Sequence, residues 1–263
     1  MRLSIVTVTY NDALRLQATL NSIGVQTDQD FEYLVIDGAS KDQTANVVLE
    51  FQSTRPVVFI SEPDRGLYDA MNKGLALAKG DYVLFLNAGD LLSDIASVTR
   101  LNQALRDECI DAVFADVVVS DVSRGKRLKV AHDVSLIHRG LPSSHQALVL
   151  RRVDCLKFPF DRGLRLAADF DMGLRIYNAG RRNWVYSPKP FSLVTAGGLS
   201  DVRRWDARLE CLRVVFKSGT LRQKMFGCFY QFKMINIDFV AQFTRRVIGD
   251  ERFNRLTSSR WNR

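Results

Sequence analysis

Apolar and polar positions follow one repeating grammar through residues 1–110: a short apolar run, a polar residue where it stops, then a stretch with apolar positions three and four apart. The runs LSIVTVTYND, FEYLVIDGAS, VVFISEPD and DYVLFLNAGD predict strands over 3–10, 31–37, 57–62 and 81–87. Leu16, Leu20 and Ile23 make the apolar stripe of a helix near 12–24, which Asn11 or Asp12 can cap. Asp42 can cap a second helix that turns Val47, Val48 and Phe51 inward, and Leu67, Ala70, Met71, Gly74, Leu75 and Ala78 recur at the spacing of a third. A fourth is predicted near 93–107. Strands that alternate with helices form a parallel sheet covered on both faces. All four strands then end on one edge, where such sheets bind ligands. That edge carries Asp37, Glu62, Asp64 and Asp90, and so dense a set of carboxylates repels itself unless a metal ion or a hydroxyl-rich ligand satisfies it.

Beyond Ile110 the rhythm changes. AVFADVVVSD and KRLKVAH alternate like a hairpin, and ALVLRR reads as one more short strand, so antiparallel strands are added to the sheet. GLRLAADFDMGLRIYNAG predicts a helix over 163–180 ended by Gly180, with Asp169 and Asp171 near its start. A strand over 183–194 and the loop Thr195-Ala196-Gly197-Gly198 follow. Residues 201–248 read as two amphipathic helices, and the Arg-rich end beyond 250 as poorly ordered. The expected fold class is α/β: a mostly parallel sheet with helices on both faces, added antiparallel strands and C-terminal amphipathic helices.

The 263 residues carry a formal net charge of +8, unevenly placed. Residues 1–200 hold 23 Lys and Arg against 23 Asp and Glu, whereas residues 201–263 hold 14 against 6. A balanced domain is thus followed by a basic segment suited to an anionic surface. Within it Phe226, Phe229, Tyr230, Phe232, Ile235 and Phe239 interleave with Lys224, Lys233, Arg245 and Arg246, a composition for docking on a lipid surface. Charge alone would also suit nucleic acid, but no helix-turn-helix, zinc-finger or RNA-binding signature accompanies it. A merely solubilising tail is the plain alternative. No uncharged apolar run reaches roughly 18 residues, because Lys233 and Asp238 interrupt 225–243. The scattered Cys109, Cys155, Cys211 and Cys228 read as free thiols in a reducing compartment, and the first strand begins by residue 3 with no secretory signal. The expected location is the cytoplasm, peripheral on the inner face of the membrane.

The segments IVTVTYND, VIDGASKDQT, SEPDRGLYDAMNKG, YVLFLNAGD, SSHQALVL and AADFDMGLR, in this order over roughly residues 1–200, resemble the inverting nucleotide-sugar glycosyltransferases of family 2, which have the GT-A fold. SEPDRGLYDAMNKG is especially similar to bacterial polysaccharide-assembly transferases. The resemblance implies a nucleotide-sugar-binding half over 1–110 and an acceptor-side half of the same domain over 111–200, while composition makes 201–263 a basic amphipathic segment for attachment to a membrane surface. It implies that Asp37 contacts uracil, and a carboxylate at a strand end can equally accept from ribose hydroxyls. Thr9, Tyr10 and Asn11 would flank the base, Asn11 being free to cap a helix as well. Glu62 and Asp64 would meet sugar hydroxyls or the nucleotide, or simply make a polar turn. Lys73 would face the diphosphate, or sit on a solvated helix face.

Asp90 is the expected ligand of a divalent cation, Mg²⁺ or Mn²⁺, set between the carboxylates and the diphosphate. The family carries two acids here, and this chain has Asn87-Ala88-Gly89-Asp90, so Asn87 or Gly89 stands in for one of them. Asp169 is the expected general base, taking the acceptor hydroxyl's proton as its oxygen attacks the anomeric carbon opposite the diphosphate. Asp171 is a second candidate on the acceptor side, but it points about 200° away around the helix, so the two cannot both face the same acceptor. His145 resembles the histidine of a His-Gln pair beside the family's active site, and by residue type alone is equally a structural histidine. Gly197-Gly198-Leu199-Ser200 is either a loop able to close over the donor or a plain turn.

The implied activity is metal-dependent, inverting transfer of a hexosyl unit from a UDP-sugar to a hydroxyl of a lipid-linked saccharide in bacterial surface polysaccharide synthesis, with no nucleic-acid partner. The alternative is a catalytically impaired nucleotide-sugar-binding regulator or scaffold, which the degenerate acidic motif at 87–90 permits. A nucleotidyltransferase would carry a Gly-rich loop with Arg and Lys straight after strand 1, and Thr9-Tyr10-Asn11-Asp12 is unlike one.

Overall fold

The computed structural model describes residues 2–121, 124–198, 202–249 and 252. The four apolar runs form β1 (Leu3–Thr9), β2 (Phe31–Asp37), β3 (Val58–Ser61) and β4 (Tyr82–Phe85), joined by α1 (Ala13–Gly24), α2 (Thr44–Gln52) and α3 (Leu67–Leu77). Then come β5 (Leu91–Leu92), α4 (Ser97–Ala104), β6 (Ala112–Ala115), β7 (Val117–Asp121) and β8 (Gly125–Lys129). Two short 3-10 segments, Val134–Arg139 and His145–Ala147, lead into β9 (Leu148–Arg151) and α5 (Arg152–Lys157). The chain continues through α6 (Ala168–Asn178), β10 (Trp184–Ser187), β11 (Ser192–Thr195), α7 (Arg204–Ser218) and α8 (Leu221–Ile248).

Among the described residues the main sheet has seven strands in the order β10-β6-β9-β4-β1-β2-β3. All pairings are parallel except those of β9, which runs antiparallel to both β4 and β6. Successive side chains of a strand point to opposite faces, and β1 shows the result. Leu3 and Ile5 join one core with Leu16, Leu20, Val35, Val48 and Leu84, while Val6 and Val8 join the other with Leu34, Met71, Leu75, Val83 and Leu174. Each such burial stabilises by about 1.5–3 kcal/mol. The buried Thr7 hydroxyl donates to the Leu86 carbonyl at 2.6 Å and accepts from Tyr33 Oη at 3.0 Å, so it adds no unpaired polar group. A second sheet has four strands in the order β5-β11-β7-β8.

Four elements differ from the sequence expectation, the first being AVFADVVVSD, which is two strands: β6 in the main sheet and β7, which alone makes the hairpin with β8, in the second. The strand over 183–194 is two strands in different sheets, because Pro188 and Pro190 cannot donate to a ladder and break it. The helix expected from 163 begins at Ala168, since the N–H groups of Arg165, Leu166 and Ala167 bond to the Glu210 carboxylate instead. Helix α1 is capped by neither Asn11 nor Asp12: Asp42 Oδ2 accepts from Ala13 N at 3.0 Å, and Asn11 Oδ1 accepts from Lys41 N at 2.8 Å. Leu199, Ser200 and Asp201, and the chain end beyond Gly249 apart from Arg252, lie outside the described residues.

Helix α8 belongs to the fold. Gln231 is fully buried and donates to the Arg139 carbonyl at 3.0 Å. Gly227 lets α8 close in on the 134–139 segment, where an added Cβ would stand 2.7 Å from the His138 carbonyl oxygen and 2.9 Å from Val215.

Candidate active site

The carboxyl ends of β1, β2 and β3 gather Thr9, Tyr10, Asn11, Asp37 and Asp64. Thr9 and Asp37 are partners in the β1–β2 register, and Asp37 is 1% exposed. The Asp37 carboxylate accepts from Ser40 N at 3.0 Å, from Ser40 Oγ, and from Ser61 Oγ at 2.6 Å. It thus closes the turn after β2, while Asp42 serves the helix starts. Asp64 accepts from Gly66 N at 2.7 Å, and its other oxygen leans on Gly38 beside Asp37. Tyr10 is 63% exposed, its ring open to a planar ligand at the mouth of the site. Thr9 Oγ1 is buried without a hydrogen-bond partner among the described residues.

Glu62 and Lys73 are paired with each other at 2.7 Å, and Lys73 also donates to the Pro63 carbonyl. Lys73 therefore does not stand as a free cation awaiting a diphosphate. The expected self-repulsion of Asp37, Glu62, Asp64 and Asp90 is likewise resolved within the chain. Serine hydroxyls, Lys73, a backbone N–H and Gln146 respectively take up the four side chains.

A second group forms where β4 ends and β9 begins. Because β9 runs antiparallel to β4, its leading residues His145 and Gln146 arrive at the carboxyl end of β4, beside Asn87 and Asp90. Asn87 Nδ2 lies 3.2 Å from His145 Nε2, and His145 Nδ1 lies 3.3 Å from Asp169 Oδ2 at the start of α6. Gln146 Nε2 donates to Asp90 Oδ2 at 3.1 Å. Asp90 and Asp169 are thereby brought to one place, joined through His145 and its neighbours. The turn at 87–90 closes with Asp90 N donating to Asn87 O at 2.9 Å, and Gly89 takes φ 93° there, a conformation strained for any side chain. An added Cβ at 89 would also sit 3.1 Å from Arg15 Cδ, so Asn87, not Gly89, is the position whose side chain faces His145.

Burial pushes the Asp90 carboxyl up from its ordinary value of 3.8, against the opposing pull of His145, Gln146, the Asn87 backbone and Arg15. For His145, burial pulls the imidazole down, but the hydrogen bond and charge of Asp169 and the charge of Asp90 outweigh it and hold the group above 6.5. Among the described residues no group of three or more His, Cys, Asp or Glu side chains is arranged to hold a metal ion. A hard cation needs few protein oxygens when it keeps its waters and phosphate ligands. The buried Asn87 Oδ1, without a hydrogen-bond donor and on the same turn as Asp90, fits that requirement.

Two supports of Asp169 escape the sequence reading. Glu210 on α7, 9% exposed, accepts from the N–H groups of Arg165, Leu166 and Ala167 at 3.0, 2.7 and 3.1 Å. Tyr68, on α3, is buried, and the Ala168 and Asp169 backbone N–H groups act on its hydroxyl against the upward push of burial. Together they fix the start of α6, and no local pattern announces either role. Ser40, Ser61 and Gln146 also lie within quoted motifs and carry contacts that residue type alone did not assign.

Asp171 is not brought to the site. It is 1% exposed, pairs with Arg175 at 2.8 Å and accepts from Ser218 Oγ at 2.8 Å, which ties α6 to α7. Gly197 and Gly198 follow β11, Gly197 with φ 89°, and the rest of the expected loop, Leu199-Ser200, lies outside the described residues.

A strand-end site on a mostly parallel sheet with antiparallel β9 is the setting in which the family match falls: the chain belongs to glycosyl transferase family 2, whose model matches residues 4–161. It is a glycosyltransferase. A PGL/p-HBAD biosynthesis glycosyltransferase of Mycobacterium bovis (strain BCG / Pasteur) is 33% identical over 179 residues, 66% of this chain and 69% of the relative. Residues 1–349 of S. aureus TarS, solved in complex with UDP-GlcNAc, match with TM-score 0.67 and 16% identity over 91% of this chain and 73% of that one. The mannosyltransferase PcManGT from Pyrobaculum calidifontis, in complex with GDP-Man and Mn²⁺, matches with TM-score 0.67 and 18% identity over 98% and 79%. At such identity the likeness shows the fold, which is GT-A.

Proposed function

We propose that the protein moves a hexosyl unit, with inversion, from a UDP-sugar to a hydroxyl of a lipid-linked saccharide in surface polysaccharide or glycolipid synthesis. The observation that carries this reading is the line Asp169–His145–Asn87, with Asp90 attached through Gln146, at one sheet edge. Asp169 takes the acceptor's proton. His145 is a positioning residue: its Nδ1, 3.3 Å from Asp169 Oδ2, holds the carboxylate in place. Residues 1–110 hold the donor, with Asp37, Thr9, Tyr10 and Asn11 at the nucleotide and Glu62, Asp64 and Lys73 at the rim. Residues 111–200 face the acceptor. Asp90 and Asn87 Oδ1 would hold Mg²⁺ or Mn²⁺, which when bound neutralises charge on the departing diphosphate. The UDP-GlcNAc in the TarS structure and the Mn²⁺ in that of PcManGT support donor and cation, and the PGL/p-HBAD relative supports a lipid-borne acceptor.

The test is UDP release by the purified protein with UDP-sugars, Mg²⁺ or Mn²⁺ and membrane extract. Cation-dependent turnover is expected, and UDP binding without turnover on any donor would favour the scaffold alternative. Asp90→Asn gives a sharper check. A carboxyl whose folded pKa is raised binds more protons in the native state, so it lowers stability as pH rises from about 4 through that folded pKa. Asp90→Asn is therefore expected to raise the Tm at pH 7 without divalent ions, and to abolish the Tm increase that Mn²⁺ gives the unaltered protein. A Tm that stays the same or falls would show that the Asp90 charge is not a burden in the folded chain.

We further infer attachment to an anionic membrane surface at its inner face through α8. No helix among the described residues is long and apolar enough to cross a membrane. Yet Leu221, Met225, Phe229, Phe232, Phe243 and Val247 are 58–78% exposed along α8. Arg222, Lys224, Lys233 and Arg246 accompany them on the same helix, the mixture an anionic interface binds. Deleting α8 would unseat Gln231 and Gly227, so point changes are the better test: Phe229→Ser with Phe232→Ser and Phe243→Ser should release the protein from anionic vesicles in sedimentation. Unchanged vesicle binding with conversion of a dimer to a monomer would assign the stripe to a second copy of the chain.

A further inference from the structure

A cavity of about 500 Å³ opens between the 134–139 segment, the end of α6 and the start of α8. Its Tyr177 and Asn178 lie eight and nine residues beyond Asp169 on α6, about 12 Å along the helix, so it is separate from the sheet-edge site. His138, Arg139, Arg182 and Arg222 line it, and none of its lining side chains is a carboxylate. Each arginine is laid over an aromatic ring: Arg139 on Tyr230 at 5.4 Å, Arg182 on Tyr177 at 5.3 Å and Arg222 on Phe226 at 5.9 Å. A guanidinium held by its face keeps its N–H edge for a ligand. Among the described residues none of the three is in an ion pair within 4.0 Å, although Arg175 and Arg181 nearby in sequence are. The floor is fixed, because Asn178 and Gln223 exchange two amide hydrogen bonds at 2.9 Å and Gln223 also takes the Thr220 N–H at 2.8 Å. His138 reports the unbalanced charge: burial, then Arg139, His132 and Arg222, hold it below its ordinary value.

Fixed, unneutralised guanidinium groups around a cavity call for a phosphate, and the neighbouring surface says which kind. Leu221, Met225 and Phe229, on the first turns of α8, are 78%, 66% and 75% exposed next to it. A phosphate cavity rimmed by apolar side chains is the arrangement of a headgroup site, with the acyl chains meeting the rim. We propose that this cavity binds the phosphate of an anionic phospholipid. The proposal rests on the α8 docking reading and deepens it from a charged face to a stereochemically defined pocket.

The test is cosedimentation of the full chain with phosphatidylcholine vesicles with and without phosphatidylglycerol. Arg182→Gln with Arg222→Gln should weaken anionic-vesicle binding about 30-fold, ~1 kcal/mol for each arginine, with UDP release on a soluble acceptor unchanged. Arg182→Lys with Arg222→Lys keeps the charge but loses the planar fork, and should still lose most of the binding. If the lysine pair binds as the unaltered protein does while the Phe229, Phe232 and Phe243 substitutions release it, diffuse charge suffices and the cavity assignment falls alone. If the unaltered protein ignores anionic vesicles, the docking reading falls with it. An NMR shift of the His138 ring with inorganic phosphate but not with phosphatidylglycerol would make free phosphate the ligand and overturn the lipid assignment.

Discussion

Replacing Asp169 by Asn is expected to slow sugar transfer by about 10²–10⁴-fold, the usual contribution of a positioned general base, while UDP affinity stays within a few-fold. The amide matches the carboxylate in shape and still presents an oxygen to His145 Nδ1, now 3.3 Å from Asp169 Oδ2, but it cannot accept the acceptor's proton. Turnover against calorimetric UDP affinity separates the outcomes. A large loss of UDP binding would place Asp169 in the donor site or in the fold. A second readout follows from the charge lost. Asp169 is the main group holding His145 above 6.5, so the imidazole should titrate lower in the variant, as its NMR resonance would report. The sign has a stability corollary: the His145–Asp169 contact stabilises fully below about pH 6.5 and is lost as pH rises through the raised folded pKa. The amide variant should lack that dependence.

Replacing Glu210 by Ala is expected to cost about 3 kcal/mol of stability, because the N–H groups of Leu166 and Ala167 lose their buried acceptor and each unsatisfied donor costs about 1–3 kcal/mol. At about 2–4 °C per kcal/mol the Tm should fall by roughly 6–12 °C. Activity should fall further than folding accounts for, at temperatures where the variant is still native, since the start of α6 sets where Asp169 stands. Gln at 210 keeps one oxygen for those N–H groups and should restore most of the Tm and of kcat. A Tm unchanged in the alanine variant would show that the three N–H groups find other acceptors.

The first four strand and helix units were legible because a short apolar run buried along its whole length, as in LSIVTVT, is hard to confuse with a stripe of period 3.6, as in ALRLQATLNSIG. The change of rhythm after Ile110 announced antiparallel strands, but not the place of β9 between β4 and β6, which only its pairing with Tyr82–Leu84 and Ala112–Phe114 reveals. A polar residue after an apolar run marks a sheet edge and singled out Asp37, Asn87 and Asp90, whereas His145, ahead of its strand, and Asp169, on a helix, were singled out only by the resemblance to the family. What those side chains touch was beyond such reading. Asp37 is answered by Ser40 and Ser61, Glu62 by Lys73, and the expected repulsion between carboxylates never arises. Glu210 was invisible for another reason: its partners are main-chain donors 43–45 residues away, which leave no trace in residue type. Asp171, a candidate for the acceptor side in sequence, is instead tied to Arg175 and to Ser218 on α7, partners that residue type does not reveal.

The reversed strand β9 also divides labour between two portions of polypeptide. His145 reaches the site from a connection that starts after Lys129 and never enters the β1–β4 ladder. Residues inserted into or removed from that connection would shift the imidazole relative to Asn87 and reshape the space before Asp169, while the pocket edge at Thr9 and Asp37 kept its register. With Asp169 serving the acceptor as proposed, partner choice on the hydroxyl side would change by loop length alone, without any rebuilding of the strand ends at Thr9 and Asp37.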